Sequence, residues 1–218
     1  MQRYLGPDTY AVEVGCGAGF SELFLRAGTL ELTDAEPRPW ATRVVDAQEL
    51  PHADASVDVL IANNVIHHVA FPDRFFRGAA RVLRPGGHVL IQECNCSLTT
   101  QIALRATGHE GYDFSADPFD PTQPCNDPSD PWSANCAIPN LLFDDLRRFR
   151  EHYPEFAVVD SGMSEFFVQF NSGGVTATVP YLPLPLAAMR VVDGIDRVLV
   201  AIAPGLFASH RRLVLRRL

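Results

Sequence analysis

Val12-Glu13-Val14-Gly15-Cys16-Gly17-Ala18-Gly19-Phe20 is the stretch whose reading decides the fold. A short β-branched run enters three glycines at alternate positions, and Ser21-Glu22-Leu23-Phe24-Leu25-Arg26 follows with helix-forming character, which predicts strand, tight turn and helix in succession. Glycine lacks a Cβ, so it takes positive φ and lets backbone pass close to a bound molecule, while the free N–H groups that open the next helix favour electron-rich atoms. Alone, Gly-x-Gly-x-Gly is equally a simple turn, and the surrounding residues must carry the reading.

With 218 residues the chain fits one large domain or a domain with a cap, and 47% hydrophobic and 20% charged residues suit a soluble globular protein. The net charge of −8 argues against a general nucleic-acid binder, which needs clustered cations. All 18 cations are arginine, for which coding bias is the simplest account. The five cysteines are odd in number, so a reduced, cytoplasmic protein is expected. Cys94-x-Cys96 with Cys125 and Cys136 matches no common zinc spacing, and no metal is expected. The longest apolar run, Val198 to Ala208, is broken by Pro204-Gly205 and falls short of the roughly 20 residues that span a bilayer. The arginine-rich end beside it reads as packing plus a solvated tail rather than a membrane face.

Little of the chain precedes Val12, so no N-terminal lid is expected. Ala27-Gly28 ends the first helix, and Leu30-Glu31-Leu32-Thr33 alternates as a second strand closing on Asp34, with Ala35-Glu36-Pro37 beyond. The βαβ order implies parallel strands and a right-handed crossover, which sets Asp34 beside the first turn. A carboxylate there either accepts two ribose hydroxyls or caps a helix. A third strand ends on Asp46-Ala47, and Val57-Asp58-Val59-Leu60-Ile61-Ala62 is apolar enough for a central strand covered on both faces, ending on Asn63-Asn64. After His67-His68, the pattern predicts a helix over Asp73 to Leu83 with Pro72 at its start, the turn Arg84-Pro85-Gly86-Gly87, and a fifth strand over His88 to Glu93.

Across about residues 9 to 95 the order and spacing of these motifs resemble a class I S-adenosylmethionine-dependent methyltransferase, of the small-molecule, methyltransferase type 11-like branch. The residues that carry it are the glycine stretch, Asp34, Asp46 with Leu50-Pro51, Ser56-Val57-Asp58 with His67-His68, and Arg81-Val82-Leu83-Arg84-Pro85-Gly86-Gly87. The resemblance implies an α/β fold: a doubly wound, Rossmann-like, seven-stranded, mainly parallel sheet with a final antiparallel hairpin. It also implies S-adenosyl-L-methionine as cofactor. Position by position, Gly15, Cys16, Gly17 and Gly19 would pass under its methionine part and Glu13 would hold that end. Asp34 or Glu36 would take the ribose hydroxyls, Asp46 and Ala47 would flank the adenine, and Asn63 or Asn64 would close the site. His67 and His68, at the rim where open α/β sheets bind ligands, and Glu93 on the next strand are candidates to take an acceptor's proton. The histidine pair is alternatively a loop-ordering device.

Residues 1–95 are expected to be the cofactor-binding half of a single domain, 96–140 an inserted acidic, proline-rich lid, and 141–218 the C-terminal half with an apolar insertion at about 180–207. Thr99 to Ala106 predicts a helix. Ser115 to Pro139 holds six prolines and excludes long regular structure. Glu110, Asp113, Asp117, Asp120, Asp127 and Asp130, with no arginine among them, form either a solvated loop or a lid favouring a cationic or amine acceptor. Tyr112, Phe114, Phe119 and Trp132 argue for the lid. One helix is predicted over Ile138 to Arg150 and a strand over Glu155 to Asp160. Ser164 to Phe170 is predicted as the sixth strand, closed by Asn171-Ser172-Gly173-Gly174, then a helical pair over Pro180 to Phe207 and a seventh strand over His210 to Leu218.

Methyl transfer from a sulfonium is an in-line displacement in which alignment supplies up to roughly 7–11 kcal/mol, against about 10²–10⁴-fold from one general base. The expected partner is a small-molecule acceptor, methylated at oxygen, nitrogen or carbon in specialised metabolism or glycan biosynthesis, and a homodimer is the oligomeric expectation. Two alternatives keep the cofactor: cyclisation or elimination at the sulfonium, or a partner subunit that binds without turnover. The glycine spacing disfavours a nicotinamide dehydrogenase.

Overall fold

The computed structural model describes residues 1–171 and 182–218. Its strands are β1 (Tyr10–Val14), β2 (Thr29–Asp34), β3 (Arg43–Val44), β4 (Val57–Asn63), β5 (Leu83–Cys94), β6 (Phe156–Ser164) and β7 (His210–Arg217). They form one seven-stranded sheet in the order β3-β2-β1-β4-β5-β7-β6, with β1 to β5 parallel and β7 antiparallel to both neighbours. This is the doubly wound architecture expected from the sequence. Strand order reverses between β1 and β4, so the chains leaving their C-terminal ends part and open a crevice there.

The helices are α1 (Ser21–Phe24), α2 (Pro72–Val82), α3 (Leu98–Thr107), α4 (Ile138–Phe143), α5 (Leu146–His152), α6 (Phe167–Phe170), α7 (Leu186–Ile202) and α8 (Pro204–Phe207). Alternation along the strands divides the core. Val12, Val14, Leu60, Ala62, Val89, Ile91, Leu213 and Leu215 face α2, α4 and α5, whereas Ala11, Val59, Ile61, Leu90 and Val214 face the other way. The first face is thick. Phe76 meets the rings of Phe75, Phe143, Phe149 and Tyr153 at centroid distances from 5.0 to 6.1 Å. The buried Asp73 carboxylate beside them accepts from the Tyr153 hydroxyl and bonds His152, tying α2 to α5. The opposite face is thin. It is covered by Tyr4, Leu5, Leu25, Ala27 and Leu30, and α1 is a single turn that leaves Phe20, Leu23 and Phe24 exposed.

Three expectations are corrected. The helix predicted over Ile138 to Arg150 is two helices, because the Asp145 side chain accepts the N–H groups of Arg147 and Arg148 and starts α5 afresh. The sixth strand is Phe156–Ser164 and not Ser164 to Phe170. Glu165 turns the chain at φ +61°, and Asp196 of α7 gathers the N–H groups of Phe166, Phe167 and Val168, which commits them to α6. The turn Arg84-Pro85-Gly86-Gly87 lies inside β5 as an excursion. The β4 register jumps from Val57 opposite Leu83 to Val59 opposite His88, with Gly86 at φ +82°. The helical pair before the last strand is present as α7 and α8, while the turn expected over 172–174 and the opening of the proline-rich run at 180–181 lie outside the described residues. Among the described residues no helix is long and apolar enough to cross a membrane. Because Phe76 sits at the centre of the aromatic packing, Phe76→Ala is expected to cost about 3–5 kcal/mol in urea unfolding; a loss below about 1.5 kcal/mol would contradict this view of the core.

Candidate active site

Gly15, Gly17 and Gly19 all hold positive φ, at +62°, +50° and +73°, but for different reasons. A Cβ at Gly15 would lie 2.3 Å from Val65 Cγ2 and one at Gly19 would lie 2.6 Å from the Trp40 ring, so both are demanded by packing. A Cβ at Gly17 meets no atom within 4 Å. It would project into a cleft of about 240 Å³ at the β1–β4 crevice. Asp34 fixes this loop, with Oδ2 accepting the Gly17 N–H at 2.9 Å and Oδ1 accepting the Glu36 N–H at 3.0 Å. Trp40 Nε1 donates to the Gly17 carbonyl at 2.9 Å.

The cleft brings together Gly15, Gly17, Asp34, Glu36, Asp46, Ala47, Asn64 and His68 from the predicted set. Glu13, Cys16, Gly19, Asn63, His67 and Glu93 do not line it. Glu13 and Cys16 are buried beside the loop, and burial pushes the Cys16 thiol up to about 11, so it is no nucleophile. Three polar atoms in this neighbourhood are buried without a hydrogen-bond partner: Glu13 Oε2, whose companion Oε1 accepts from Ser21 Oγ at 2.7 Å, Asn64 Oδ1, and the donor Arg38 Nε. Burial raises the Glu13 carboxyl to about 7. Unpartnered acceptors around an open glycine turn fit a ligand that brings its own donors, as the ammonium, ribose hydroxyls and adenine amino group of S-adenosylmethionine do.

On the far side of the cleft, Glu93 is fully buried at the end of β5. Its Oε1 accepts the N–H groups of Val65 and Ile66 at 2.7 and 2.5 Å, and its Oε2 pairs with His67 Nδ1 at 2.6 Å. Burial opposes charge on His67, but Glu93 outweighs it and holds this imidazole up at about 9. His68 is shifted the other way, by its own burial and by His67. His68 Nδ1–H donates to the Ser133 carbonyl at 3.1 Å, which leaves the Nε2 lone pair available.

The segment after α3 is stitched to this loop. Asn135 N–H and Asn126 Nδ2 donate to the His67 carbonyl, and Cys125 N–H donates to the Ala70 carbonyl. Its aspartates are turn-formers: Asp113, Asp117, Asp120, Asp127 and Asp130 each accept the N–H two residues on. Only Asp127 and Asp130 of the five line the cleft, beside Pro128, Pro131 and Trp132. Sequence reasoning missed Trp40, Gln48, Val65 and Arg38, whose guanidinium lies 5.5 Å from the Trp132 ring. The Asp-x-Ser and Asp-x-Thr spacing was a readable signal for the turns; nothing marked Trp40 or Arg38.

Residues 12–91 match the family described as "Methyltransferase domain". A 27-O-demethylrifamycin SV methyltransferase of Amycolatopsis mediterranei is 54% identical over 48 residues, 21% of this chain and 17% of its own length. A ubiquinone biosynthesis O-methyltransferase of Caulobacter is 30% identical over 116 residues, 45% of this chain and 46% of its own. The matches thus span less than half the length of either relative. A S-adenosylmethionine-dependent methyltransferase structure from Archaeoglobus fulgidus shares the fold with TM-score 0.58 and 15% identity, covering 99% of this chain and 89% of that one. The family match covers residues 12–91, well under half of the chain, while the chain as a whole has the fold of S-adenosylmethionine-dependent methyltransferase structures.

Glu13 gives a stability test. Its carboxyl rises from 4.5 to about 7 on folding, so the native state keeps a proton that the unfolded chain has released across that window, and stability falls as pH rises through it. Cofactor-free Glu13→Gln should match the parent near pH 4.5 and exceed it at pH 8, by about 1–3 kcal/mol, in thermal unfolding. Identical curves at both pH values would refute the burial penalty.

Proposed function

We propose that this protein transfers a methyl group from S-adenosylmethionine to oxygen, nitrogen or carbon of a small-molecule acceptor, with oxygen favoured by the names of both relatives. The observation that carries the reading is the open side of Gly17, with the unpartnered acceptor Asn64 Oδ1 in the same cleft and Glu13 Oε2 buried beside the glycine loop. When bound, the cofactor supplies an electrophilic methyl group on a positive sulfur. Glu13 would hold its ammonium, and Asp46 and Ala47 would border its base. Asp34 is the better ribose ligand than Glu36. Both line the cleft and both face Arg38, Asp34 at 3.6 Å and Glu36 at 2.8 Å, but Asp34 is in addition pinned by two backbone N–H groups at the end of β2.

Glu93 and His67 are positioning residues that order the loop after β4. Of the three, His68 alone lines the cleft, and we assign it the contact with the acceptor. Residues 96–140 would cover the acceptor. Specialised metabolism and glycan assembly are the settings such an acceptor suggests.

Calorimetry with S-adenosylmethionine, S-adenosylhomocysteine and NAD tests the donor, and failure of the first two to bind would sink the proposal. Labelled methyl recovered in an acceptor supports transfer, while methylthioadenosine without an acceptor indicates a sulfonium side-chain reaction. Gly17→Val should abolish cofactor binding, and Asp34→Ala should weaken it by about 1–3 kcal/mol with Glu36→Ala close to the parent. His68→Ala should lower turnover by about 10²–10⁴ with cofactor affinity retained.

A further inference from the structure

Glu110 stands apart from the other acids of its segment. It forms no turn of the kind the aspartates make; its carboxylate faces histidines. Oε2 lies 3.8 Å from His67 Nε2 and Oε1 lies 3.9 Å from His68 Nε2. These three donor groups all lie within 4.8 Å of one another, and His67 is buried while the other two are largely covered. Ligand atoms around a tetrahedral ion with bonds of 2.0–2.2 Å are separated by roughly 3.4 Å, so side-chain shifts of about an ångström close the set on a metal.

The surroundings prepare the ligands. Glu93 holds His67 at Nδ1, which aims Nε2 at Glu110, and the Ser133 carbonyl does the same for His68. This is the carboxylate–histidine and carbonyl–histidine support that orients imidazole ligands in metal sites. The Cys136 thiol donates to Glu110 Oε2 at 3.0 Å and steadies the carboxylate, while exposed His109 approaches Oε1 at 3.6 Å from outside.

We propose that His67 Nε2, His68 Nε2 and the Glu110 carboxylate form a binding site for a zinc-class dication. Two imidazoles and one carboxylate make a borderline donor set that favours Zn²⁺ over Mg²⁺ or Ca²⁺. Three protein ligands leave a coordination position open. His68 lines the cleft at the glycine turn, while Glu110 and Cys136 line a smaller cavity of about 40 Å³, so the ion sits in the wall between the two spaces. Loading displaces the proton on His67 Nε2 into solvent. Resting on the methyl-transfer reading in this one respect, an acceptor hydroxyl that takes the open position ionises more readily, and His68 then acts on it as a ligand of the ion rather than as a free base. Ion binding itself stands without that reading.

The test titrates Zn²⁺ into the full chain, stripped of metal, in competition with a chromophoric chelator, and repeats the loading with Co²⁺ to read its visible absorption. We expect one Zn²⁺ per chain and an intense Co²⁺ spectrum of four- or five-coordinate type. Glu110→Gln and His68→Ala should each weaken Zn²⁺ at least tenfold, and Glu93→Gln should do so about 10–100-fold through the orientation of His67. Asp113→Asn, a turn-former in the same segment, should leave affinity unchanged. Thermal unfolding and circular dichroism of each variant show that it is folded, and if His68→Ala is not, Glu110→Gln decides. No stoichiometric Zn²⁺ in the parent, a weak six-coordinate Co²⁺ spectrum, or affinity unmoved in folded Glu110→Gln would overturn the site. Each of these readouts is independent of methyl transfer.

Discussion

A single carboxylate holds the two halves of the cleft in register. Glu93 is fully buried, and an ionised carboxylate in that position is tolerable only when its lone pairs are taken. They are taken by the N–H groups of Val65 and Ile66 in the loop after β4 and by the imidazole of the next residue, His67. Val65 is thereby pressed over Gly15, which is why that glycine has no room for a side chain. The carbonyls of His67 and Ala70, fixed by the same loop, become the anchor points for the segment that covers the cleft. Removing one partner would leave the others desolvated without compensation, so the arrangement has little tolerance for partial change.

The sheet carries unequal loads on its two faces. Aromatic packing of α2, α4 and α5 gives one side a deep core, while the side bearing α1 rests on a few aliphatic residues. The crossovers after β1 and β2 are short here: α1 is one turn, and the chain from Asp34 to Arg43 contains no helix. Trp40 does part of the work of a missing helix by lying against Gly19 and bonding the Gly17 carbonyl. Most resistance to unfolding therefore resides on the thick side, and the donor cradle lies on the less heavily packed side.

The strand–turn–helix around Gly15 to Gly19, Asp34 at the end of β2 and the central apolar strand were legible because each is a local pattern tied to backbone geometry. The errors arose where a distant side chain decided the matter. Asp196, some 30 positions away, captured three N–H groups and made a helix of residues whose own propensity favours a strand. Asp145 divided a periodic helical stretch by capping from within it. Among the residues that line the cleft, Asp34, Asp46 and His68 were legible from their places after strands, whereas Trp40, beside the glycine turn, and Arg38 fall in an irregular stretch with no period to read. Glu110 was visible only as one acid among six. Its distinct orientation depends on where a long, irregular chain returns to the histidines.

The consecutive aspartate turns have a consequence for how the cleft exchanges its contents. Each turn satisfies its own polar groups within three residues, so the segment from Asp113 to Trp132 keeps its shape without help from a ligand. It is anchored by the buried Phe119 ring against His152 and Tyr153, by the Arg148 guanidinium on Asp117, and by bonds to the His67, Val69 and Ala70 carbonyls. A wall that is shaped in itself and held by a buried ring needs little further ordering when the cleft fills, so whatever enters meets a surface already formed.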